Sequence, residues 1–150
     1  DENPMYAYKV YDHFKIYRPL ADKYTKWRNN LTPYDIQGYE QLPKKGDLLI
    51  ITKSMKDVMC LYEMGYTAIS PASESTFLTP DVIDALKLRF KRILICFDRD
   101  VPGVKNMRKI SLKTGLNGFL VHKKFQSKDI SDAIKNNGFE VIKNWLKETL

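Results

Sequence analysis

The feature that most constrains this chain is an alternation of short apolar runs with helix-like segments, beginning at Gly46. The runs Leu48 to Ile51 and Ile93 to Phe97 are continuously apolar, which is typical of strands buried on both faces. Tyr66 to Ser70 and Gly118 to Val121 are two further strand candidates. Because helix-like segments separate these runs, the order predicts an α/β fold with a mainly parallel four-stranded sheet and helices on both faces.

Capping and spacing signals delimit the helices. Met55 to Met64 carries apolar residues at helical spacing and is followed by Gly65, a typical helix stop. Thr79-Pro80-Asp81 combines a capping hydroxyl, a proline at the first helical position and an acid in the first turn. We therefore expect a helix from this point to about Phe90. The other predicted helices span residues 103–114, 129–135 and 139–150.

The first 45 residues differ from the rest, because aromatic side chains are dense there and interleaved with lysine and arginine. Alternation in Tyr6 to Val10 and in Phe14 to Arg18 predicts the two strands of a hairpin. We divide the chain into an N-terminal segment, residues 1–45, and an α/β domain, residues 46–150. The N-terminal segment suits stacking on single-stranded bases, and it equally suits the core of a small subdomain.

The chain has a formal net charge of +7, and the whole excess lies in one stretch. Residues 105–128 contain seven Lys or Arg and no Asp or Glu, whereas the remaining residues balance. A patch of one sign attracts phosphate groups and indicates a polyanionic partner, although a merely solvated face is the alternative interpretation. The patch comprises a helical face and the following strand-end loop: Lys105, Arg108, Lys109, Lys113, Lys123, Lys124 and Lys128.

Apolar content and cysteine usage exclude several classes of protein. The sequence has no run of 18 apolar residues, so we expect no transmembrane helix and no membrane partner. Cys60 and Cys96 lie inside apolar runs and no CxxC motif occurs. This usage favours core thiols of a reduced, cytoplasmic protein over a disulfide or a structural zinc site.

The residues that follow each strand are the candidate site residues, because ligands of an open parallel sheet bind beyond the carboxyl ends of its strands. Asp98 and Asp100 follow the most apolar strand, and residues two apart in an extended segment point the same way. Two such carboxylates suit Mg²⁺ or Mn²⁺, with water and substrate phosphate completing the coordination. A solvated acidic loop is the alternative. Lys53 follows the first strand, and Glu74 follows the second.

Three segments resemble the Toprim domain, the catalytic module of bacterial and phage primases, type IA and II topoisomerases and some nucleases: LLIITKSMKDVMCLYEMG, ILICFDRDVPGVKNMRK and SKDISDAI. Upstream, FKIYRPL, KWRNN and GYEQLP resemble the lead-in of phage-type primases and primase-helicases. The resemblance implies a metal-binding pair at Asp98 and Asp100, followed by the family glycine at Gly103. It also implies supporting acids at Asp57, Asp129 and Asp132.

One position departs from the family pattern. The first strand of a Toprim domain ends in Glu-Gly, and that Glu is the proposed general acid/base, whereas this chain has Lys53-Ser54. Two interpretations stay open. In the first, Glu74 supplies a third carboxylate to the metal while Lys53 pairs with phosphate during phosphoryl transfer. In the second, the domain binds nucleic acid or a partner without catalysis.

The resemblance implies a primase module that joins nucleoside triphosphates into an RNA primer on single-stranded DNA, with Mg²⁺ or Mn²⁺ as cofactor. The catalytic candidates are Asp98, Asp100, Glu74 and Lys53, of which the three acids are metal ligands. The candidate contacts to nucleic acid or nucleotide are Lys53, Lys56, Lys105, Arg108, Lys109, Lys123, Lys124 and Lys128. Further partners would be a replicative helicase, or helicase and zinc-binding modules fused to this chain. The resemblance also implies a protein of the bacterial cytoplasm, which a phage could encode. A Toprim nuclease and a degenerate binding module are the alternative functions.

Overall fold

The computed structural model describes residues 3–73 and 77–150. Its N-terminal sheet has three antiparallel strands in sequence order, β1 (Tyr6–Val10), β2 (His13–Tyr17) and β3 (Trp27–Asn29). The predicted hairpin is confirmed as β1 and β2. Strand β3 was not predicted, because its three residues are all exposed and show no alternation of apolar and polar side chains.

The second sheet has four parallel strands in the order β5-β4-β6-β7, which confirms the predicted α/β architecture. The strands are β4 (Gly46–Thr52), β5 (Ala68–Ile69), β6 (Phe90–Cys96) and β7 (Asn117–Gly118). The fourth strand is shorter than predicted and leaves the sheet after Gly118. Beyond that point, the Val121 carbonyl accepts a hydrogen bond from Nε of Arg99 instead of from a neighbouring strand.

In the described part of the chain, five α-helices cover the two faces of the parallel sheet: α1 (Met55–Glu63), α2 (Pro80–Arg89), α3 (Val101–Thr114), α4 (Ile130–Asn137) and α5 (Phe139–Thr149). Leu49 and Ile51 pack with residues of α2 and α3 on one face. Ile50, between them, packs with residues of α1, α4 and α5 on the other face. The apolar run of β4 is continuous because alternate side chains enter two different cores, and these three side chains have no exposed surface.

The N-terminal segment attaches to the edge of the parallel sheet at β5. Gln37 and Ser70 exchange two backbone hydrogen bonds, of 2.8 and 3.0 Å, and the Gln37 side chain is fully buried. Ile36 also belongs to the core that packs against α2 and α3, so contacts cross the predicted boundary. The division of the chain at residue 45 stays a prediction. Among the described residues, no helix has both the length and the apolar character needed to cross a membrane.

Candidate active site

The carboxyl ends of the two central strands bring a lysine and an aspartate together. Thr52 and Cys96 pair at the last register position of β4 and β6, and Lys53 and Asp98 follow just beyond them. Nζ of Lys53 lies 3.2 Å from Oδ2 of Asp98, and Nζ of Lys128 lies 3.5 Å from the same oxygen. The Asp98 side chain is 7% exposed, and those of Lys53 and Lys128 are 18% and 54% exposed. One nearly buried carboxylate thus stands between two ammonium groups.

The two lysines do not fully compensate the burial of Asp98. Desolvation raises the pKa of this carboxyl, and the charge of Lys53 opposes that rise more strongly than Lys128 does. The carboxylate of Asp129 adds to the rise. Because the balance of these effects still leaves the pKa of Asp98 raised, its ionised form gains from any further positive charge brought to this edge.

Asp100 faces the start of α3. Its Oδ1 accepts a 2.7 Å hydrogen bond from the Gly103 amide, which makes Asp100 the N-cap of that helix. A Cβ at Gly103 would lie 2.2 Å from the Asp98 carbonyl oxygen, so only glycine fits this turn. The spacing of Asp98, Asp100 and Gly103 therefore builds a strand-to-helix turn that presents Asp98 at the sheet edge. Metal binding by the two aspartates stays a prediction.

Asp57 and Asp129 form hydrogen bonds at the starts of the two helices beside this edge, α1 and α4. The Ser54 hydroxyl donates a 2.8 Å hydrogen bond to Asp57 Oδ2, while Oδ1 of Asp57 accepts one of 2.9 Å from the Ser131 amide. Asp129 caps α4 through the Asp132 amide, at 2.7 Å. Asp57 therefore joins the start of α1 to the start of α4, and its supporting role in a Toprim site stays a prediction.

Asp57 gives the fold a distinct dependence on pH. Burial, followed by the Asp129 charge, raises the pKa of Asp57 to about 6 in the folded chain, whereas the unfolded chain releases this proton near its ordinary value of 3.8. The protonated Asp57 carboxyl therefore contributes its full stability below the unfolded-state pKa of 3.8. That contribution is lost as pH rises through the folded-state pKa of about 6. We expect the free energy of unfolding to fall by roughly 2–3 kcal/mol across this window.

Asparagine at position 57 keeps an oxygen for the Ser131 amide but cannot ionise. In urea unfolding at several pH values between 4 and 7, the wild-type chain should therefore lose stability relative to Asp57→Asn as pH rises. Parallel pH profiles for the two proteins would show that the Asp57 proton is not linked to folding.

The predicted basic residues fall into separate groups. Lys105 and Lys109 line, together with Lys53, a cavity of about 900 Å³ between α2 and α3. Nζ of Lys56 lies 5.8 Å from the Tyr17 ring in the N-terminal sheet. Arg108, Lys123 and Lys124 are exposed. Lys128 is the member of the basic patch that reaches Asp98 directly, and the carboxylates of Asp98, Asp129 and Asp132 outweigh its partial burial and raise its pKa.

Arg99 positions Lys128, a role that sequence reasoning missed. The Arg99 amide donates a 2.6 Å hydrogen bond to the Lys128 carbonyl, and its Nε donates to the Val121 carbonyl. These contacts fasten the loop before α4 to the end of β6. The signal that was present in the sequence is a basic residue between two aspartates.

A divalent metal ion at this edge would depend on Asp98 and Asp100 among the described residues. The described residues contain no group of three or more His, Cys, Asp or Glu side chains placed to hold a metal ion, and Glu74 lies outside the described residues. Mg²⁺ usually takes one or two protein carboxylates together with substrate phosphates. Asp98, a nearly buried oxygen donor that gains from added positive charge, fits such an ion, with Asp100 as the neighbouring carboxylate.

Several solved primase structures share this fold. A DnaG primase catalytic domain bound to single-stranded DNA matches with a TM-score of 0.68 and 17% identity, over 91% of this chain and 47% of that one. The primase fragment of the bacteriophage T7 primase-helicase matches with a TM-score of 0.68 and 16% identity, over 97% and 63%. The Aquifex aeolicus primase, with its zinc-binding and RNA polymerase domains, matches with a TM-score of 0.61 and 19% identity, over 91% and 36%.

A family profile, rather than the solved structures, identifies the family of this chain. At such identities the likeness shows the fold, and this chain spans less than two thirds of the length of each structure. No curated protein sequence matches the chain. The Toprim-like family profile matches residues 50–134, which is more than half of the sequence. The resemblance read from the three sequence segments is thereby confirmed, and the chain belongs to the Toprim-like family.

Proposed function

We propose that this chain is the Toprim portion of a phage-type DNA primase or primase-helicase, which makes RNA primers on single-stranded DNA. The observation that carries the proposal is the nearly buried Asp98 carboxylate between Lys53 and Lys128 at the carboxyl edge of the sheet. Phosphoryl transfer needs a negative group that holds a metal ion and positive groups that receive phosphate charge. Both kinds of group meet here within 3.5 Å.

Mg²⁺ or Mn²⁺ would be held by Asp98 and Asp100, with Glu74 as a further ligand, and would stabilise the charge that develops on the reacting phosphate. In the reaction, the 3′-oxygen of one nucleotide bonds to the α-phosphorus of the next, pyrophosphate leaves and the hydroxyl proton passes to solvent. Lys53 and Lys128 would turn from Asp98 towards the triphosphate as it enters. The lysines thus neutralise Asp98 in the ligand-free site and phosphate in the occupied one.

The basic residues support a nucleic-acid partner. Lys105 and Lys109 line the same cavity as Lys53 and lie about 6 Å apart along α3, so they extend the positive charge along that helix. Such contacts bind phosphates without reading sequence. The similar DnaG domain was solved with single-stranded DNA and the similar T7 fragment comes from a primase-helicase, so single-stranded DNA and a helicase are the partners we propose, in a bacterial cytoplasm.

Incubation with single-stranded DNA, nucleoside triphosphates and Mg²⁺ tests the proposal. The wild-type chain, joined to its neighbouring domains where these exist, should form short RNA products that disappear when Mg²⁺ is removed. Nicking of DNA without added nucleotides would instead identify a Toprim nuclease. DNA binding without either reaction would identify a degenerate binding module.

A further inference from the structure

One face of the N-terminal sheet carries a row of stacked aromatic rings. Tyr6, Tyr17 and Trp27 pair directly across β1, β2 and β3, and we call these three residues the aromatic ladder. The Tyr17 and Trp27 ring centroids lie 4.3 Å apart with planes at 23°, and those of Tyr6 and Tyr17 lie 6.4 Å apart at 28°. The ladder therefore crosses the full width of the sheet.

The two outer rings of the ladder are exposed to solvent. Tyr6 is 53% exposed and Trp27 is 38% exposed, whereas Val10, at the other end of the same face, is buried. Cross-strand aromatic pairs stabilise a sheet, and that role alone would be served equally by rings covered from water. The exposed ring surface at both ends of this row is available to a further planar group.

Ammonium groups surround the ladder. Nζ of Lys15 lies 5.2 Å from the Trp27 ring centroid, and Nζ atoms of Lys26 and Lys56 lie 5.7 and 5.8 Å from that of Tyr17. Between residues 6 and 29 the sequence has six Lys or Arg and two Asp or Glu. A ligand that covers these rings therefore meets positive charge along their rim.

The ladder lies beside the carboxyl edge of the parallel sheet. Lys56 belongs to the first turn of α1, three residues after Lys53. Nζ of Lys15 donates a 3.3 Å hydrogen bond to the carbonyl of Ala72, in the loop that follows β5. One lysine of the ladder rim therefore lies on the helix that follows Lys53, and another contacts the loop whose residues Pro71 and Ser73 line the same cavity as Lys53.

We propose that the aromatic ladder, with Lys15, Lys26 and Lys56, is a stacking site for single-stranded DNA. Unpaired bases offer flat faces to the rings while the adjoining phosphates meet the lysines, a combination that a duplex withholds because its bases are stacked on each other. This inference rests on the proposed function only in identifying the strand as the primase template. The binding site itself does not require catalysis.

Trp27 supplies a direct optical test, because the other tryptophan, Trp145, is buried in the core of the α/β domain. Oligothymidylate should quench the fluorescence of the wild-type chain, and inorganic polyphosphate, which has charge but no bases, should bind without quenching it. In Trp27→Leu, the remaining tryptophan fluorescence comes from Trp145 and should not respond to the oligonucleotide. Equal quenching by polyphosphate, or none at saturating oligothymidylate, would overturn the proposal.

Phe14 provides a matched control, since it is 44% exposed on the opposite face of the same sheet. Trp27→Leu should weaken oligothymidylate binding roughly tenfold or more, while Phe14→Leu stays within about twofold and Trp27→Phe retains most of the affinity. Lys56→Gln should lower the salt dependence of binding, which Trp27→Leu should leave unchanged.

If Trp27→Leu and Phe14→Leu lost affinity for oligothymidylate equally, the ladder would have only a structural role. Thermal unfolding of both variants would show whether a loss of affinity follows from a loss of fold. If the chain bound oligothymidylate with quenching but made no primers, the proposed function would be contradicted, while the binding site at the ladder would be supported.

Discussion

Asp98→Asn is expected to lower primer synthesis about 10³-fold, which corresponds to the several kcal/mol that a bound metal contributes to phosphoryl transfer. The amide keeps the shape of the side chain and an oxygen for Lys53, but it lacks the charge that would hold the cation. Initial rates of dinucleotide formation at saturating template measure the effect. A variant that keeps a third or more of the wild-type rate would remove Asp98 from the reaction.

The same substitution should leave the fold at least as stable as before. Because burial raises the pKa of Asp98, its ionised carboxylate costs folding free energy near neutral pH, and the neutral amide removes that cost. Urea unfolding measures this directly. Asp47→Asn is the matched control, because Asp47 pairs with Lys91 at the opposite ends of the same two strands. That variant should change neither primer synthesis nor stability appreciably, since its ion pair is exposed.

Lys53→Glu should destabilise the chain by about 2–4 kcal/mol in the absence of divalent cations. The substitution removes an ammonium group 3.2 Å from Asp98 and places a second carboxylate at the same sheet edge. Two like charges on this partly buried edge repel until a cation joins them. Millimolar Mg²⁺ should therefore raise the unfolding midpoint of Lys53→Glu and leave that of the wild-type chain nearly unchanged.

Lys91→Glu is the control for that experiment, because it creates the same pair of charges on exposed side chains. Solvent screening should keep its effect on stability small, without a response to Mg²⁺. If Lys53→Glu were as stable as the wild-type chain without Mg²⁺, or did not respond to it, Lys53 would not be the cation that balances Asp98.

Much of the fold was predictable from sequence because it depends on local and periodic signals. The buried runs of β4 and β6, the start of α2 at Pro80 and the end of α1 before Gly65 each follow from a few adjacent residues. Strand β3 has no such signal, since its three residues pair with β2 while remaining exposed. The early end of β7 has no local signal either, and the Val121 carbonyl beyond it accepts a hydrogen bond from Arg99, 22 residues away in the sequence.

The site was predictable in position but less so in its contacts. The sheet edge follows from the strand order, and the pattern of Asp98, Asp100 and Gly103 follows from the turn it forms. Nothing local indicates that Lys128 meets the same Asp98 oxygen as Lys53, because that contact depends on how the loop before α4 folds back. The roles of Asp98, Asp100, Lys53 and Glu74 in catalysis stay predictions.

Calorimetric titration of a non-hydrolysable nucleoside triphosphate, with and without Mg²⁺, tests the central claim most directly. In the wild-type chain we expect Mg²⁺ to strengthen binding about tenfold or more, because Asp98 holds the ion that the phosphates bring. In Asp98→Asn, Mg²⁺ should leave binding unchanged or weaken it, since the ion only screens the phosphates from the lysines. The same strengthening by Mg²⁺ in both proteins would contradict a metal site at Asp98.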